Sequence, residues 1–419
     1  MNGVRLFSNA AIRSETSQNV PKTKRYSPVD ICYYIAFAIY CFFHLLERTN
    51  FVSLGGVSFD LIGKIATGLM LILLCSRLFT IRFQLDSIMW SAIVLLCSLV
   101  VFFTAHSWIC LSLALFIVAG KNIDIRPMVW IVLISTIVVV MITFLGVSSG
   151  LISNIASARA GETKIRYSFG FNQVNALGAA AVRIVTAVAY LRWEKNPLTF
   201  SLFALLICYL LDVVANSRTA ELYIICLAAA QAAYYLLRKK RSIDAKQFGR
   251  FCLALIWVCV LISVYLLFFF NPSNSVMMTI SKWVSNRFYS AWYLAKMYGV
   301  HLFGNGDMVL GGRVWAVDSY ADLTIDNAWD HWLVIYGIVP TVIMLLGITK
   351  LFLIAIKSDH IDGSLIIFTL LIAVFAFGES TSLAIDYNPF LLLLWLPIYA
   401  SDEAYGLKQS NSCAERLQQ

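Results

Sequence analysis

Along most of this chain apolar residues run in blocks of about twenty, broken by short polar stretches. Each block is long enough to cross a hydrocarbon core of about 30 Å as a helix. The blocks are too long for barrel strands, and in lipid only helices or closed barrels satisfy the backbone. The pattern predicts an all-α, polytopic membrane protein of about twelve helices. They fall near 29–46, 57–76, 86–103, 106–120, 127–147, 173–191, 198–213, 217–237, 250–270, 331–350, 362–378 and 388–400. The turn at 104–106 is tight, and the last two helices are short. Two connecting stretches are long, 148–172 and 271–331, and the second holds about sixty polar and aromatic residues between helices 9 and 10. Loops of that length in a compact protein are usually functional or disordered. Six aromatic residues before Gly299 and a Gly-Asn-Gly turn at 304–306 favour order.

Composition agrees with the pattern. Hydrophobic residues make up 60% of the chain and charged residues 13%, against roughly a quarter charged in a soluble domain. The organisation expected is a tail at 1–28, a transmembrane domain at 29–400 and a tail at 401–419. With the N-terminus cytoplasmic, 21 of the 32 lysines and arginines fall on the inner side and nine on the outer. The positive-inside bias therefore places both termini in the cytoplasm. Ile31–Leu46 lacks a small-residue cleavage pattern and reads as an uncleaved first helix. The run at 238–241 is then a topology anchor, so the net charge of +9 calls for no nucleic acid. Nine of the ten cysteines lie in apolar blocks and Cys413 in the tail, which gives no disulfide framework. The five histidines form no close ligand set, so a catalytic metal has no support and no cofactor is expected.

Some outer arginines run against the charge bias. Arg166 lies in KIRYSFGFNQVNALG, Arg218 in VVANSRTAE at the opening of a helix, and Arg287 in NRFYSAW of the large loop. Arg183 sits about ten residues inside helix 6, where an unpartnered arginine costs at least about 2.5 kcal/mol. Singly, each could bind a lipid headgroup or a local acid. Together they suit a shared phosphate or pyrophosphate, which guanidinium grips in bidentate fashion. Asn216 or Ser217 would add a capping oxygen at the start of helix 8.

Asp307, Asp318, Asp322, Asp326 and Asp330 lie in the second half of the large loop. Asp330 can cap helix 10, and Asp326 or His331 can orient or deprotonate a hydroxyl nucleophile. His331 equally suits a plain polar residue at the membrane edge. Gly304, Gly306, Gly311 and Gly312 lack a surrounding strand–helix unit and read as tight turns with positive φ, not a nucleotide loop. Trp283, Phe288, Tyr289, Trp292, Tyr293 and Tyr298 recur at three-to-four spacing. They predict one amphipathic helix lying at the interface, with sugar stacking as the other option.

In order and sidedness these segments resemble the Wzy-type bacterial polysaccharide polymerases, within the superfamily that includes the O-antigen ligases. Arg166 through Gly170-Phe171 to Asn175 is similar to the family stretch of arginine, aromatic-glycine and His-Pro-Asn, although Gln173-Val174 stands where the family has His-Pro. Asn216-Ser217-Arg218 resembles the Ser-Arg pair opening a later helix. Arg287 with Leu302-Phe303-Gly304-Asn305-Gly306 resembles a loop ending in Gly-x-Gly, and Asp326-Asn327 with Gly337 the Asp-rich approach to the next helix. The resemblance implies a glycosyltransferase on the outer face of the bacterial cytoplasmic (inner) membrane. It would join undecaprenyl-pyrophosphate-linked oligosaccharide repeats into an exopolysaccharide, capsule or O-antigen, with undecaprenyl pyrophosphate leaving. Arg166, Arg218, Arg287 and Arg183 would hold the pyrophosphate, and Asp326 or His331 would serve the acceptor. Membrane lipids, a chain-length regulator and a flippase are the partners implied. A ligase passing finished polymer to another acceptor needs the same donor site. A transporter for the lipid-linked sugar is the alternative of a different class, disfavoured here because polarity concentrates outside the spans.

Overall fold

The computed structural model describes residues 26–400 apart from 52, 55–56, 159–162, 240–243, 309–312, 317–318, 323 and 359–362. The two tails, with Cys413, lie outside the described residues, as do Arg159, Gly311, Gly312, Asp318, His360 and part of the basic run at 238–241.

The chain is a bundle of apolar helices. α1 (Pro28–Leu46) opens with a capping box, in which Ser27 and Asp30 exchange side chain-to-backbone bonds. After a two-stranded turn, β1 (Ser53–Leu54) and β2 (Val57–Ser58), come α2 (Phe59–Leu78), α3 (Leu85–Ala105), the short α4 (Trp108–Ala119) and α5 (Ile125–Ser148). A hairpin, β3 (Ala156–Ala158) with β4 (Ile165–Tyr167), precedes α6 (Val174–Leu191), α7 (Pro197–Val214), α8 (Arg218–Lys239) and α9 (Ala245–Phe269). The long polar stretch folds as α10 (Ser275–Trp283), α11 (Arg287–Tyr298), the hairpin β5 (Arg313–Ala316) with β6 (Ser319–Asp322), and α12 (Ala328–His331). A π-helical turn at Trp332–Tyr336 leads into α13 (Ile338–Lys357), followed by α14 (Gly363–Ala373) and a run of 3-10 turns. Among the described residues nine helices are long and apolar enough to cross a membrane, and three apolar ones are shorter: Trp108–Ala119, Gly363–Phe377 and Pro389–Ala400.

The ends of α1 and α4 are tied at one face of the bundle. Tyr33 donates to the Phe116 carbonyl (2.8 Å), Tyr399 to Val118 (2.7 Å), and Arg77 Nε to Ala119 (2.6 Å) while its Nη1 pairs with Asp30. These donors satisfy carbonyls that the end of a helix leaves open.

Four sequence expectations change. The aromatic stripe is not one interfacial helix. It breaks at Ser285 and Asn286, both at positive φ, between α10 and α11. Phe288 and Tyr289 are buried, and Tyr289 and Trp292 pack against Phe270 of the α9 end, so the stripe faces protein. Asn327, not Asp330, caps α12: its Oδ1 accepts from the amides of Trp329 and Asp330. Asn216 closes α7 as a left-handed residue whose amide donates to Leu211, so of the two capping candidates it is Ser217 that stands directly before α8, its carbonyl accepting from Glu221. The fourth change is the largest. The last two apolar blocks are broken, and between them the residues 378–388 turn back inside the protein with Asp386 and Asn388 fully buried. In a membrane protein, irregular backbone is tolerated where other protein buries it or where it lines a cavity.

The glycines at 304 and 337 hold the long polar stretch to the bundle. Both have positive φ, and a Cβ on either would overlap the other segment's backbone. Their closeness lets Ile338 and Val339 donate to His301 and Leu302 (both 3.0 Å) and Asn305 to Ile335 (3.1 Å). Gly306 differs: its φ is ordinary, and the space for a Cβ is taken by Thr104 and His106.

Candidate functional site

Where α1 ends, the chain from Thr49 pairs with the approach to α6. Asn50 donates to Gly170 (2.8 Å), Thr49 bridges Phe171, and Asn172 donates to the Arg48 carbonyl (2.9 Å). Gly170, at φ +85°, admits this contact because a Cβ there would overlap side chains of Thr143, Val147 and Ile152. The pairing sets Asn172, Gln173, Asn175 and Ala176 opposite His44, Glu47 and Arg48, and Glu379 of the 378–388 turn joins them around a polar cavity of about 280 Å³. Gln173 is the extended residue before α6, so the first turn of that helix opens on the cavity. A helix N-terminus presents amide hydrogens and the positive end of the macrodipole, which favours an anion.

Beneath the cavity lies a buried charge cluster. Arg183 Nη1 donates to Asp386 Oδ2 at 3.0 Å, with both side chains fully buried. The same oxygen is hydrogen-bonded to His44 Nδ1 at 2.9 Å. The guanidiniums of Arg183 and Arg48 stand 4.8 and 5.3 Å from the centre of the Tyr387 ring. Arg183 therefore has its reason for lying inside a span: it holds the broken hairpin to α6.

The cavity is flanked by a second pair. Arg287, opening α11, donates through Nε to Asp326 Oδ2 (3.0 Å) and through Nη1 to Thr219 Oγ1 (2.8 Å), next to Arg218 at the start of α8. Its guanidinium lies against Gly378, where a Cβ would overlap it. Glu379 follows. Burial pushes its carboxyl up, the Asp326 charge adds to this, and Arg287 and Arg48 pull back, leaving it at about 7. Thr381 Oγ1 donates to Glu379 Oε1 at 3.2 Å. Because Gly378 has an ordinary φ of −128°, Gly378→Ala strains no backbone and acts by displacing the Arg287 guanidinium and the Thr219 side chain, both of which a Cβ would overlap. The variant is expected to fold with a thermal midpoint a few degrees below wild type and to weaken anion binding about tenfold, through the charge-assisted bonds of Arg287. Titration of inorganic phosphate beside melting curves checks both halves.

The expected site residues are thus partly brought together. Arg287 and Asp326 are bonded, Arg218 precedes Thr219 with its own side chain exposed, and Arg183 is linked through Asp386 to His44 of the cavity wall. Arg166 lies half-buried on β4 opposite Ser157. His331 turns its Nδ1 to the Ile325 carbonyl (3.2 Å) and its ring edge toward Tyr336. Burial pushes it down to about 4, so it is neutral at pH 7. Asp330 is buried, neither of its oxygens takes a hydrogen bond among the described residues, and burial pushes its carboxyl well above the usual range. A carboxyl whose folded pKa is raised costs stability as pH rises from its unfolded value. Asp330→Leu is therefore expected to raise the thermal midpoint by several degrees at pH 7.5 and by less at pH 5. Melting curves at the two pH values read the difference.

Sequence reasoning passed over His44, Arg48, Glu379, Asp386 and Tyr387. The signal was present in FGESTSLAIDYNP at 377–389, where Glu, Asp and Asn interrupt two apolar blocks too short to span comfortably. The arrangement can hold an anion between Arg48 and the start of α6, and it sets beside that anion a carboxyl able to exchange a proton near neutral pH. No protein-family model, no curated protein and no solved structure matches this chain.

Proposed function

We propose that this chain is a polysaccharide polymerase of the Wzy type, a glycosyltransferase using an undecaprenyl-pyrophosphate-linked glycan as donor. One observation carries the reading furthest: a single polar cavity gathers Arg48, the first turn of α6 and the Glu379 carboxyl. In this reading the chain crosses the bacterial cytoplasmic membrane about twelve times with both termini inside, and the cavity opens to the outer face. The pyrophosphate lies against Arg48 and the α6 amides, with Arg287 and Arg218 at its flank. A hydroxyl of the acceptor repeat attacks the anomeric carbon as the bond from that carbon to the pyrophosphate oxygen breaks. The hydroxyl proton goes to Glu379, and the electron pair leaves with undecaprenyl pyrophosphate. Fixed positive groups stabilise the charge gathering on the leaving group, and a base of pKa near the working pH suits the proton transfer. Asp326 acts here by orienting Arg287, and Arg183 by holding Asp386. His331, neutral and turned toward Ile325, is left without a proton to carry.

A ligase would use the same donor site. The broken, charge-bearing hairpin at 378–388 favours a second reading, transport of the lipid-linked sugar, because transporters bind substrate at interrupted helices. Purified protein in liposomes, given its lipid-linked repeat, separates the three. A ladder of glycan lengths means polymerase. Single repeats transferred to a supplied acceptor mean ligase, and unextended repeats that cross the bilayer mean transport.

A further inference from the structure

Because α13 runs on to Lys357, Lys350 lies not at the edge of a span but seven residues inside one, about 10 Å from its end. Its Nζ donates to the Pro397 carbonyl at 2.7 Å and stands 5.7 Å from the centre of the Trp90 ring on α3. That bond uses one of the three donors of the ammonium. Asp86, one turn before Trp90, is near enough for its charge to act on Lys350, yet the two form no ion pair among the described residues. The side chain is exposed. A cation inside a span calls for a partner, and here the protein supplies a carbonyl and a ring but no paired charge.

The ammonium stands at one end of an apolar crevice of about 140 Å³ between α3, α4, α13 and the closing stretch 394–398. Along α13 the crevice reaches from Pro340 to Lys350, ten residues or about 15 Å of helix. Val94, Leu113, Met344 and Leu394 line it, and Ser98 spends its hydroxyl on the Val94 carbonyl. Among the described residues that line it, Lys350 is the one with a charge. Trp90 and Leu346 are exposed at its edge, so the crevice opens sideways. Gly347 provides the room: the nearest atom to a Cβ there is Leu394 Cδ2 at 3.5 Å, an ordinary contact, so a longer side chain would fill the crevice without straining the helix.

We infer that this crevice binds one anionic phospholipid, with an acyl chain between α3 and α13 and the phosphate against the Lys350 ammonium. The apolar length suits a chain, and the lateral opening admits it from the bilayer. The headgroup supplies the counter-charge that no side chain gives Lys350. A zwitterionic phospholipid brings its own cation beside the phosphate and so gains less from the lysine. In the topology read from the charge bias, α13 finishes on the cytoplasmic side, where anionic lipids and lysines attract one another. The crevice shares no residue with the polar cavity, and the lipid binds whatever reaction that cavity performs.

The test titrates the full-length protein, stripped of lipid in detergent, with phosphatidylglycerol and with phosphatidylcholine of identical chains. Native mass spectrometry reads the affinity of the first lipid bound. Wild type is expected to bind phosphatidylglycerol about tenfold more tightly, the worth of one charge-assisted bond. Lys350→Gln keeps a donor for the Pro397 carbonyl and is expected to lose the preference, while Lys350→Arg retains it. Gly347→Leu, and Ala114→Leu from the facing helix, each fill the crevice and are expected to weaken both lipids about tenfold. Equal affinity for the two lipids in wild type, or a preference that survives Lys350→Gln, overturns the headgroup contact and with it the inference. Affinities unchanged in both filling variants place the lipid elsewhere on the surface and overturn it as well. Neither result touches the polymerase reading.

Discussion

Glu379→Gln is expected to lower the rate of glycan extension by about 10²- to 10⁴-fold, the usual contribution of a positioned general base. Gln keeps the shape of the side chain and can still accept from Thr381, so the cavity persists and pyrophosphate binding changes little. The pH dependence carries the sharper signature. In wild type the rate rises with pH as the carboxyl ionises, through about 7, and then levels. The residual rate of the Gln variant lacks that rise. Stability runs the other way. The folded carboxyl titrates near 7 against 4.5 for the free group, so the folded protein binds the proton more tightly. Stability therefore falls as pH climbs through that window and is level above it. Between pH 5 and pH 7 the wild type gains activity while its thermal midpoint declines, and Glu379→Gln flattens both trends. A variant that keeps the wild-type pH profile would remove Glu379 from the chemistry.

The second large effect concerns the buried pair below the cavity. Arg183→Leu leaves the Asp386 carboxylate buried with His44 as its remaining partner. Removing one member of such a pair costs about 3–5 kcal/mol. Arg183→Leu with Asp386→Leu is expected to recover most of the loss, since well-packed apolar residues often replace a buried ion pair at little cost. The double variant should remain folded and yet show little activity, because the hairpin that carries Glu379 has lost the polar tie that sets its place against α6 and α1. Unfolding curves in detergent, set beside extension assays, measure the two quantities separately. Equal stability of the single and double variants would mean that Arg183 and Asp386 do not act as a unit.

How far the sequence discloses this molecule follows from what each signal depends on. The long apolar blocks were legible because lipid constrains a helix by length and polarity alone; among the described residues nine long helices overlap nine such blocks, the one drawn at 331–350 running instead over Ile338–Lys357 after a π-helical turn. The broken hairpin was not. FGESTSLAIDYNP sets charges between two short apolar blocks, but where those charges go depends on partners in distant helices, which that stretch does not name. Periodicity showed that Phe288, Tyr289 and Trp292 share a face, but it carries no information on whether that face meets lipid or Phe270. Arg183 could be singled out from the cost of an arginine in lipid. Its partner could not, because Asp386 pairs with it across 203 residues. Glu379 owes its raised proton affinity to burial and to the Asp326 charge, against the pull of Arg287 and Arg48, and none of these charges is local in sequence.

The same separation has a consequence for how the protein is made. Arg183 enters the bilayer when α6 is inserted, and Asp386 has still to be synthesised. At about 5–20 residues per second the interval is on the order of 10–40 s. Throughout it the nascent chain carries an intramembrane cation whose eventual counter-ion does not yet exist. α6 must spend that time beside the insertion machinery, or with its arginine drawn toward water, and the bundle closes only when the final hairpin arrives. Emergence of the segment carrying Asp386 is thus the event that closes the membrane domain around this pair, and a chain cut short before Asp386 presents the membrane's quality-control proteases with an unneutralised arginine.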